Sequence, residues 1–508
     1  MNVLFFARHY TYLRNFESVL VGLSERGHRV HIAVEHQDVL GGAGLVARLT
    51  AAYQGLTAGL SPRRDDRYYS LAIKLRFGID YLRYLAPSYA QMPRLRLRAR
   101  DRAPMVVRRL TERWPFTTAS GRSALVRLMS AIEQAMPCSP EILAFIRSHN
   151  PDVVLFTPLI GVVASPQLDY LYAARALRMP TALCVWSWDH LSSKAIIRTV
   201  PDRVLVWNPT QQREAVDMHG VPREQVVVTG AQCFDQWFER TPTRSRVEFC
   251  RRVGLPDDRP FILWVCSALF KGSPVEAAFV TRWIGALRES RDPELREAAI
   301  LVRPHPSRMA EWQSVDLSRL ERVALWGGNP IDAEPRADYF DSLCYSAAVA
   351  GLNTSAFIEG AIVGRPVYTV LLPEYYENQE GTLHFHYLLN VGGGLLHASR
   401  SLEEHAAQLA TALRGEADAV RSRRFVEAFV RPQGLDQSST PRFVEAVEWL
   451  PAASRAAPEA PGLLARLALK VFMALTWTQA GWLLMYDEAG AAKERRKQTE
   501  RAQKKEVA

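Results

Sequence analysis

No two cysteines in this sequence stand in a C-x-x-C pair, and the six present (Cys138, Cys184, Cys233, Cys250, Cys266 and Cys344) are scattered. Several lie in apolar runs such as TALCVW and FILWVC, where a thiol behaves as a small hydrophobe. Neither a disulfide framework nor a zinc cluster is indicated, and a reducing compartment is expected. Long apolar runs are lacking too: nothing reaches the ~18 residues a membrane span needs. The opening MNVLFFARHY is too short in apolar residues for a secretory signal, and Arg8 follows the run rather than preceding it. A cytoplasmic chain, not integral to a membrane, is the expectation. There is no G-x-x-x-x-G-K-[ST] loop, and no G-x-G-x-x-G follows a strand. GGAG at Gly41 and GGG at Gly392 lack that context. ATPase and nicotinamide-dependent chemistry are thereby disfavoured. No internal repeat is visible.

What is present is the composition of a folded α/β protein. At 508 residues, 48% hydrophobic and 23% charged, the chain suits two domains rather than one core. The formal net charge of +10 favours anionic partners. The excess gathers in Arg94–Arg109 and in the tail Lys493–Lys505. Basic residues without interleaved aromatics on a recognisable module argue against nucleic acid.

The first residues alternate as a βαβ unit should: a strand over Asn2–Ala7, a helix over Tyr12–Arg26 and a strand over Arg29–Val34, with Gly27 as the helix stop. Such a unit implies a parallel sheet. Residues 41–137 read as Arg-rich inserted helices without clear strands. The α/β rhythm resumes with strands near 152–156, 181–186, 203–207 and 225–229. A charged connection follows from Thr241, and a second set of strands opens at Phe261. The expected organisation is a first domain over 1–250, a second over 251–450, and a linker, amphipathic helix and basic tail over 451–508.

Open parallel sheets bind ligands outside the carboxyl ends of their strands, so polar residues just after apolar runs are the candidates. In LVRPHP, Arg303 and His305 are each fixed by a following proline and suit a phosphate. In GLNTSAFIEGAIVGRP, Asn353, Thr354 and Ser355 read as caps of a helix whose N-terminus suits a diphosphate, with Glu359 placed for ribose hydroxyls. In NQEGTLHFHY, Gln379 and His384 are expected at the substrate, His384 and His386 sharing one face of an extended segment. Two histidines without a third ligand make a poor metal site, so no metal is expected, and no cofactor. In WSWDHLSSK, Asp189 and His190 are candidate bases for an acceptor hydroxyl, with His9 next in line.

Two tandem parallel-sheet domains with nucleotide motifs in the second resemble the GT-B architecture of glycosyltransferases. RPHP followed by NTSAFIEGAIVGRPVY resembles the nucleotide half of CDP-glycerol glycerophosphotransferases and related surface-polysaccharide enzymes. YLRNFESVLVGLSERGHRV resembles the first βαβ unit of many GT-B enzymes. The resemblance implies two Rossmann-like domains and transfer of a sugar from a nucleotide-sugar donor to a cell-surface glycan or lipid-linked acceptor. It implies that Arg303, His305, Asn353, Thr354, Ser355 and Glu359 contact the donor. Retaining GT-B enzymes commonly carry two glutamates with seven residues between them; at that spacing from Glu359 stand Gly351 and Val367. An inverting reaction with a base such as Asp189 is therefore expected. The rivals are a non-hydrolysing sugar-nucleotide 2-epimerase, a polyol-phosphate transferase and, least, a nucleic-acid-binding protein.

Leu463–Tyr486 carries leucines, Phe472, Trp477 and Trp482, with Arg466 and Lys470 four apart on one face. Two outcomes are open: a helix in the interface of an anionic membrane, making the enzyme peripheral, or a helix packed back across the first domain.

Overall fold

The computed structural model describes residues 1–508 apart from 37–40, 162–164, 318–319, 331, 417–418, 453–460 and 477–508. Two all-parallel sheets organise it. The first contains β1 (Asn2–Ala7), β2 (Arg29–Val34), β3 (Leu56–Leu60), β4 (Val153–Thr157), β5 (Thr181–Cys184), β6 (Arg203–Val206) and β7 (Val226–Val228), in the order β3-β2-β1-β4-β5-β6-β7. The second contains β8 (Phe261–Val265), β9 (Ala299–Arg303), β10 (Val323–Leu325), β11 (Ala348–Gly351), β12 (Val367–Val370) and β13 (Leu396–Ser399), in the order β10-β9-β8-β11-β12-β13.

The central strands are apolar along their whole length because helices cover both faces. In β1, Val3, Phe5 and Ala7 pack with Val19, Leu20 and Leu23 of the helix Glu17–Glu25. Leu4 and Phe6 point the other way, onto Ile142, Ile146 and Tyr170. In β8, Leu263 meets Phe357 and Phe425 on one face. On the other, Trp264 meets Trp283, with ring centroids 4.6 Å apart.

The chain passes between the domains twice. The helix Arg246–Val253 sends Phe249, Cys250 and Val253 into the second core. The helix Ser439–Glu448 returns to the first, where Phe443, Val444 and Val447 join β1 and Leu20. Buried Asp235 secures the return: it accepts from the backbone of Ser439 at 3.0 Å, the backbone and hydroxyl of Thr440 at 2.7 Å, and Arg431 at 3.1 Å.

Residues 69–134 form a helical layer with its own core, in which Leu75 and Ile79 of the helix Tyr69–Arg83 meet Leu125 and Met129 of the helix Ala119–Gln134. Fully buried Arg76 fastens this layer to the first domain, donating to Glu133 at 2.6 Å and to both oxygens of Asp169 at 2.9 and 3.0 Å. Removing one member of such a buried network strands the other charge, at a cost of ~3–5 kcal/mol.

Several expectations need correcting. Residues 41–137 are not strandless: β3 lies there, an edge strand of sequence LTAGL with only Leu56 buried, so no apolar run announces it. The helix expected over Tyr12–Arg26 is a 3-10 turn over Tyr10–Asn15 and an α-helix over Glu17–Glu25, separated at Phe16, whose φ of −127° is not helical. Of the helix expected over Leu463–Tyr486, Leu463–Thr476 is described. Trp477, Trp482 and the tail Lys493–Lys505 lie outside the described residues. Among the described residues no helix is long and apolar enough to cross a membrane.

Candidate active site between the two sheet edges

Each sheet reverses its order once, between β1 and β4 in the first and between β8 and β11 in the second. Loops leaving neighbouring strands diverge there and open a crevice at the carboxyl edge. The two edges are joined by direct contacts. Trp188 of the first domain meets His384 of the second edge-on, with centroids 4.8 Å apart. Tyr387 donates to Glu214 at 2.5 Å.

On the second edge, Arg303 ends β9 and is buried. Its guanidinium lies over the Tyr339 ring, 4.4 Å from the centroid, and donates to the Gly328 carbonyl at 2.9 Å. Gly327 makes this perch possible: its φ is +121°, and a Cβ there would stand 2.4 Å from Nη1 of Arg303. Arg303 borders a cavity of about 310 Å³ with Arg252, Trp326 and Asp338, in which the Arg252 guanidinium lies over Trp326 at 5.5 Å. Tyr339 donates its hydroxyl hydrogen to Glu359. Burial raises the Glu359 pKa, against the pull of Tyr339, Arg14 and Arg303. Arg14 belongs to the first domain, so this acidic group is held between cations of both.

His305 follows the edge. The Ser307 backbone N–H donates to its Nδ1 at 3.2 Å, which leaves the ring hydrogen on Nε2 when the imidazole is neutral. Burial, with Arg308 and Arg14 adding to it, lowers its pKa. A neutral ring with Nε2–H is a hydrogen-bond donor, which suits a phosphate oxygen.

Asn353, Thr354 and Ser355 do not act together as caps. The helix they precede is short, Ala356–Ile362; only the Thr354 hydroxyl accepts from it, at Ala356 N and 3.3 Å. Ser355 is already helical in φ and ψ and makes no side-chain cap. Asn353 turns aside: its amide donates to the Asn378 carbonyl, and its backbone N–H donates to Ser267 Oγ at 3.0 Å. Gln379 lies buried under the edge, its amide nitrogen donating to the carbonyls of Val370 at 2.9 Å and Leu352 at 3.1 Å. His384 and His386 do not share one extended face, because His384 immediately precedes the helix Phe385–Asn390 and His386 lies within it. His384 faces Trp188; burial drives its pKa down to about 4, against the pull of Asp189.

On the first edge, β1 runs into Arg8 and His9. The His9 ring meets Tyr12 edge-on at 4.7 Å, and Tyr12 meets Trp186 at 4.7 Å. Asp189 is engaged: it accepts from Lys194 Nζ at 2.7 Å, Ser187 Oγ at 2.7 Å and Ser193 Oγ at 3.0 Å. Burial would raise its carboxyl, but Lys194 and His384, with the hydrogen bonds, hold it well below the usual carboxylate range. His190 is sealed in the core, Nε2 against the Ile160 carbonyl at 3.2 Å, with burial pushing its pKa down to about 4.

Glu35 is a group the sequence reading passed over, although it follows the apolar run of β2 and meets the same rule that picked out Arg303. Burial raises its pKa to about 7, against Gln167, Arg8 and Arg63. Tyr339, Trp326 and Gly327 were also passed over; their parts depend on packing across separate elements, which no local motif encodes.

No protein-family model and no curated protein matches the sequence. Solved structures do match. A glycosyltransferase from Rickettsia africae superposes with a TM-score of 0.52 at 10% identity, over 89% of this chain and 99% of that one. The UDP-GlcNAc 2-epimerase of Methanocaldococcus jannaschii gives 0.51 at 12%, over 88% and 100%. MnaA of S. aureus, in a co-structure with UDP, gives 0.51 at 13%, over 90% and 99%. The chain has a GT-B-like fold of two parallel-sheet domains.

Proposed function

We propose that the chain is a glycosyltransferase that holds a nucleotide-sugar donor on the second sheet edge and an acceptor hydroxyl on the first. The observation that carries this is the cluster of Arg303, His305, Tyr339 and Glu359, faced by Arg14 from the other domain, with Arg303 also bordering the 310 Å³ cavity. The fold is shared with the Rickettsia africae glycosyltransferase and with S. aureus MnaA in its co-structure with UDP.

In the reaction, a base on the first edge takes the proton of the acceptor hydroxyl, whose oxygen attacks the anomeric carbon from the face opposite the diphosphate. The bond from that carbon to the diphosphate oxygen breaks, and the nucleoside diphosphate leaves with the electron pair. The Arg303 cation and the Nε2–H of the neutral His305 ring stabilise the charge that grows on the leaving oxygens. The anomeric configuration inverts. Asp189, paired with Lys194, has too little proton affinity for the base; His9, at the end of β1, takes that role, with Glu35 behind it. The acceptor is a glycan or a lipid-linked carbohydrate of the cell surface.

A second reading, an epimerase acting on the nucleotide sugar alone, draws on Glu35, a second carboxyl of raised pKa on the opposite domain from Glu359. A thermal-shift screen across nucleoside diphosphates and their sugar conjugates tests the common ground. A ligand at ~100 times its dissociation constant adds about 2.7 kcal/mol; no shift with any of them would sink both readings. Incubating the recognised sugar nucleotide without acceptor then separates them. A new sugar isomer means epimerase, and a donor unchanged until an acceptor forms a glycosidic product means transferase.

A further inference from the structure

Apart from the basic tail, one layer alone carries a surplus close in size to the whole net charge of +10. Residues 69–136 contain thirteen Lys or Arg against four Asp or Glu, a surplus of nine. This is the helical layer fastened by Arg76. Arg96, Arg100 and Arg109 are among its exposed basic residues.

The same layer gathers exposed apolar side chains. The helix Leu463–Thr476 is docked on it through Leu469, Phe472 and Met473, which join the core of Leu125 and Met129. Of the sixteen large hydrophobics exposed among the described residues, eight lie on this helix or on the layer it covers. Leu463 and Leu464 are 82% and 81% exposed, Leu467 57% and Val471 50%; on the layer itself Trp114 is 83% exposed and Leu97 46%.

The helix geometry explains how it does both things. At 3.6 residues per turn, Leu463, Leu464, Leu467 and Val471 fall within about 100° of one another, opposite buried Leu469. Arg466 and Lys470, both exposed, stand on the border of that stripe. A helix packed on one side, apolar on the opposite side and basic along the border is built to lie in an interface.

We propose that the layer 69–136 and the helix Leu463–Thr476 together form a docking face for an anionic lipid surface. The leucines and Trp114 enter the headgroup–acyl boundary while the arginines meet lipid phosphates. Apolar residues at this density select lipid over a soluble polyanion, which arginines alone would serve. The inference rests on the proposed reading only for its purpose, which is to bring the first sheet edge to acceptors carried on lipid.

The test uses the full chain and vesicles of phosphatidylcholine with or without phosphatidylglycerol. Wild-type protein should sediment with the anionic vesicles, weakly with the neutral ones, and less as salt rises. Leu464→Asp/Leu467→Asp should lower partitioning ~10-fold or more. Arg96→Glu/Arg100→Glu should lower it by a similar factor on anionic vesicles alone. Circular dichroism and the nucleotide thermal shift should stay as in wild type, so loss of vesicle binding and loss of donor binding are read separately. If the first variant misfolds, the arginine variant decides. Failure of wild-type protein to sediment with anionic vesicles, wild-type binding by both variants, or binding to heparin without binding to vesicles overturns the proposal.

Discussion

Tyr387 of the second domain donates its hydroxyl hydrogen to the Glu214 carboxyl of the first, across 2.5 Å. Burial raises the Glu214 pKa to about 8, with Tyr387 and Arg83 pulling the other way. A carboxyl raised in the folded state lends stability that is fully present below its unfolded value. That stability is lost as pH rises through about 8. The melting temperature should therefore fall between pH 6 and pH 9, and Glu214→Gln, which keeps an acceptor for Tyr387, should flatten the fall by ~1 kcal/mol or more. Parallel pH profiles of the two proteins by differential scanning fluorimetry check it; identical slopes would mean that Glu214 is ionised in the fold.

Arg303→Lys keeps the charge but loses the fork and the stacking on Tyr339. It should weaken donor binding by ~1.5–3 kcal/mol, roughly 10- to 150-fold. His305→Ala should weaken it by a comparable factor with little loss of stability. Isothermal titration with the nucleoside diphosphate measures both, and unchanged affinity in both variants removes these residues from the donor site.

Gly327→Ala places a methyl group against Nη1 of Arg303 on a backbone with φ of +121°. It should cost ~1–3 kcal/mol of stability from backbone strain. It should also displace the guanidinium, so donor affinity should fall with stability. Normal affinity in Gly327→Ala would show that the perch of Arg303 is dispensable.

For the base, His9→Ala should lower turnover by ~100-fold with donor affinity unchanged. Asp189→Asn should lower it less, because that carboxylate is tied to Lys194. Steady-state rates at saturating donor for His9→Ala, Asp189→Asn and Glu35→Gln rank the three. A collapse confined to Glu35→Gln transfers the role to Glu35, and one confined to Asp189→Asn restores the simplest reading of the sequence.

The central strands were legible because burial on both faces demands uninterrupted apolar runs: VLFFA, FILWV and ILV sit where expected. β3 was not, since an edge strand buries little, and β13, LHAS, has too few apolar residues to stand out. The site was legible as far as strand ends allow. Arg303 and His305 lie at the carboxyl edge because that is where a strand followed by proline must stop. Gln379 is expected at the substrate and His190 as a candidate base, but both are buried and bonded to backbone carbonyls. Polarity in a sequence marks a need for partners and does not say whether the partner is a ligand or the chain itself. Tyr339 and Trp326 had no signal at all, being ordinary aromatics until Arg303 and Arg252 are laid over them.

The double passage of the chain between the domains has a mechanical corollary. Two connections, over residues 241–245 and 430–438, resist twisting of one half against the other as a single connection would not, and the contacts of Trp188 with His384 and of Tyr387 with Glu214 add to that restraint. A single nick at the first crossing would not part the pieces either, because the second fragment would still hold the first through Phe443, Val444 and Val447.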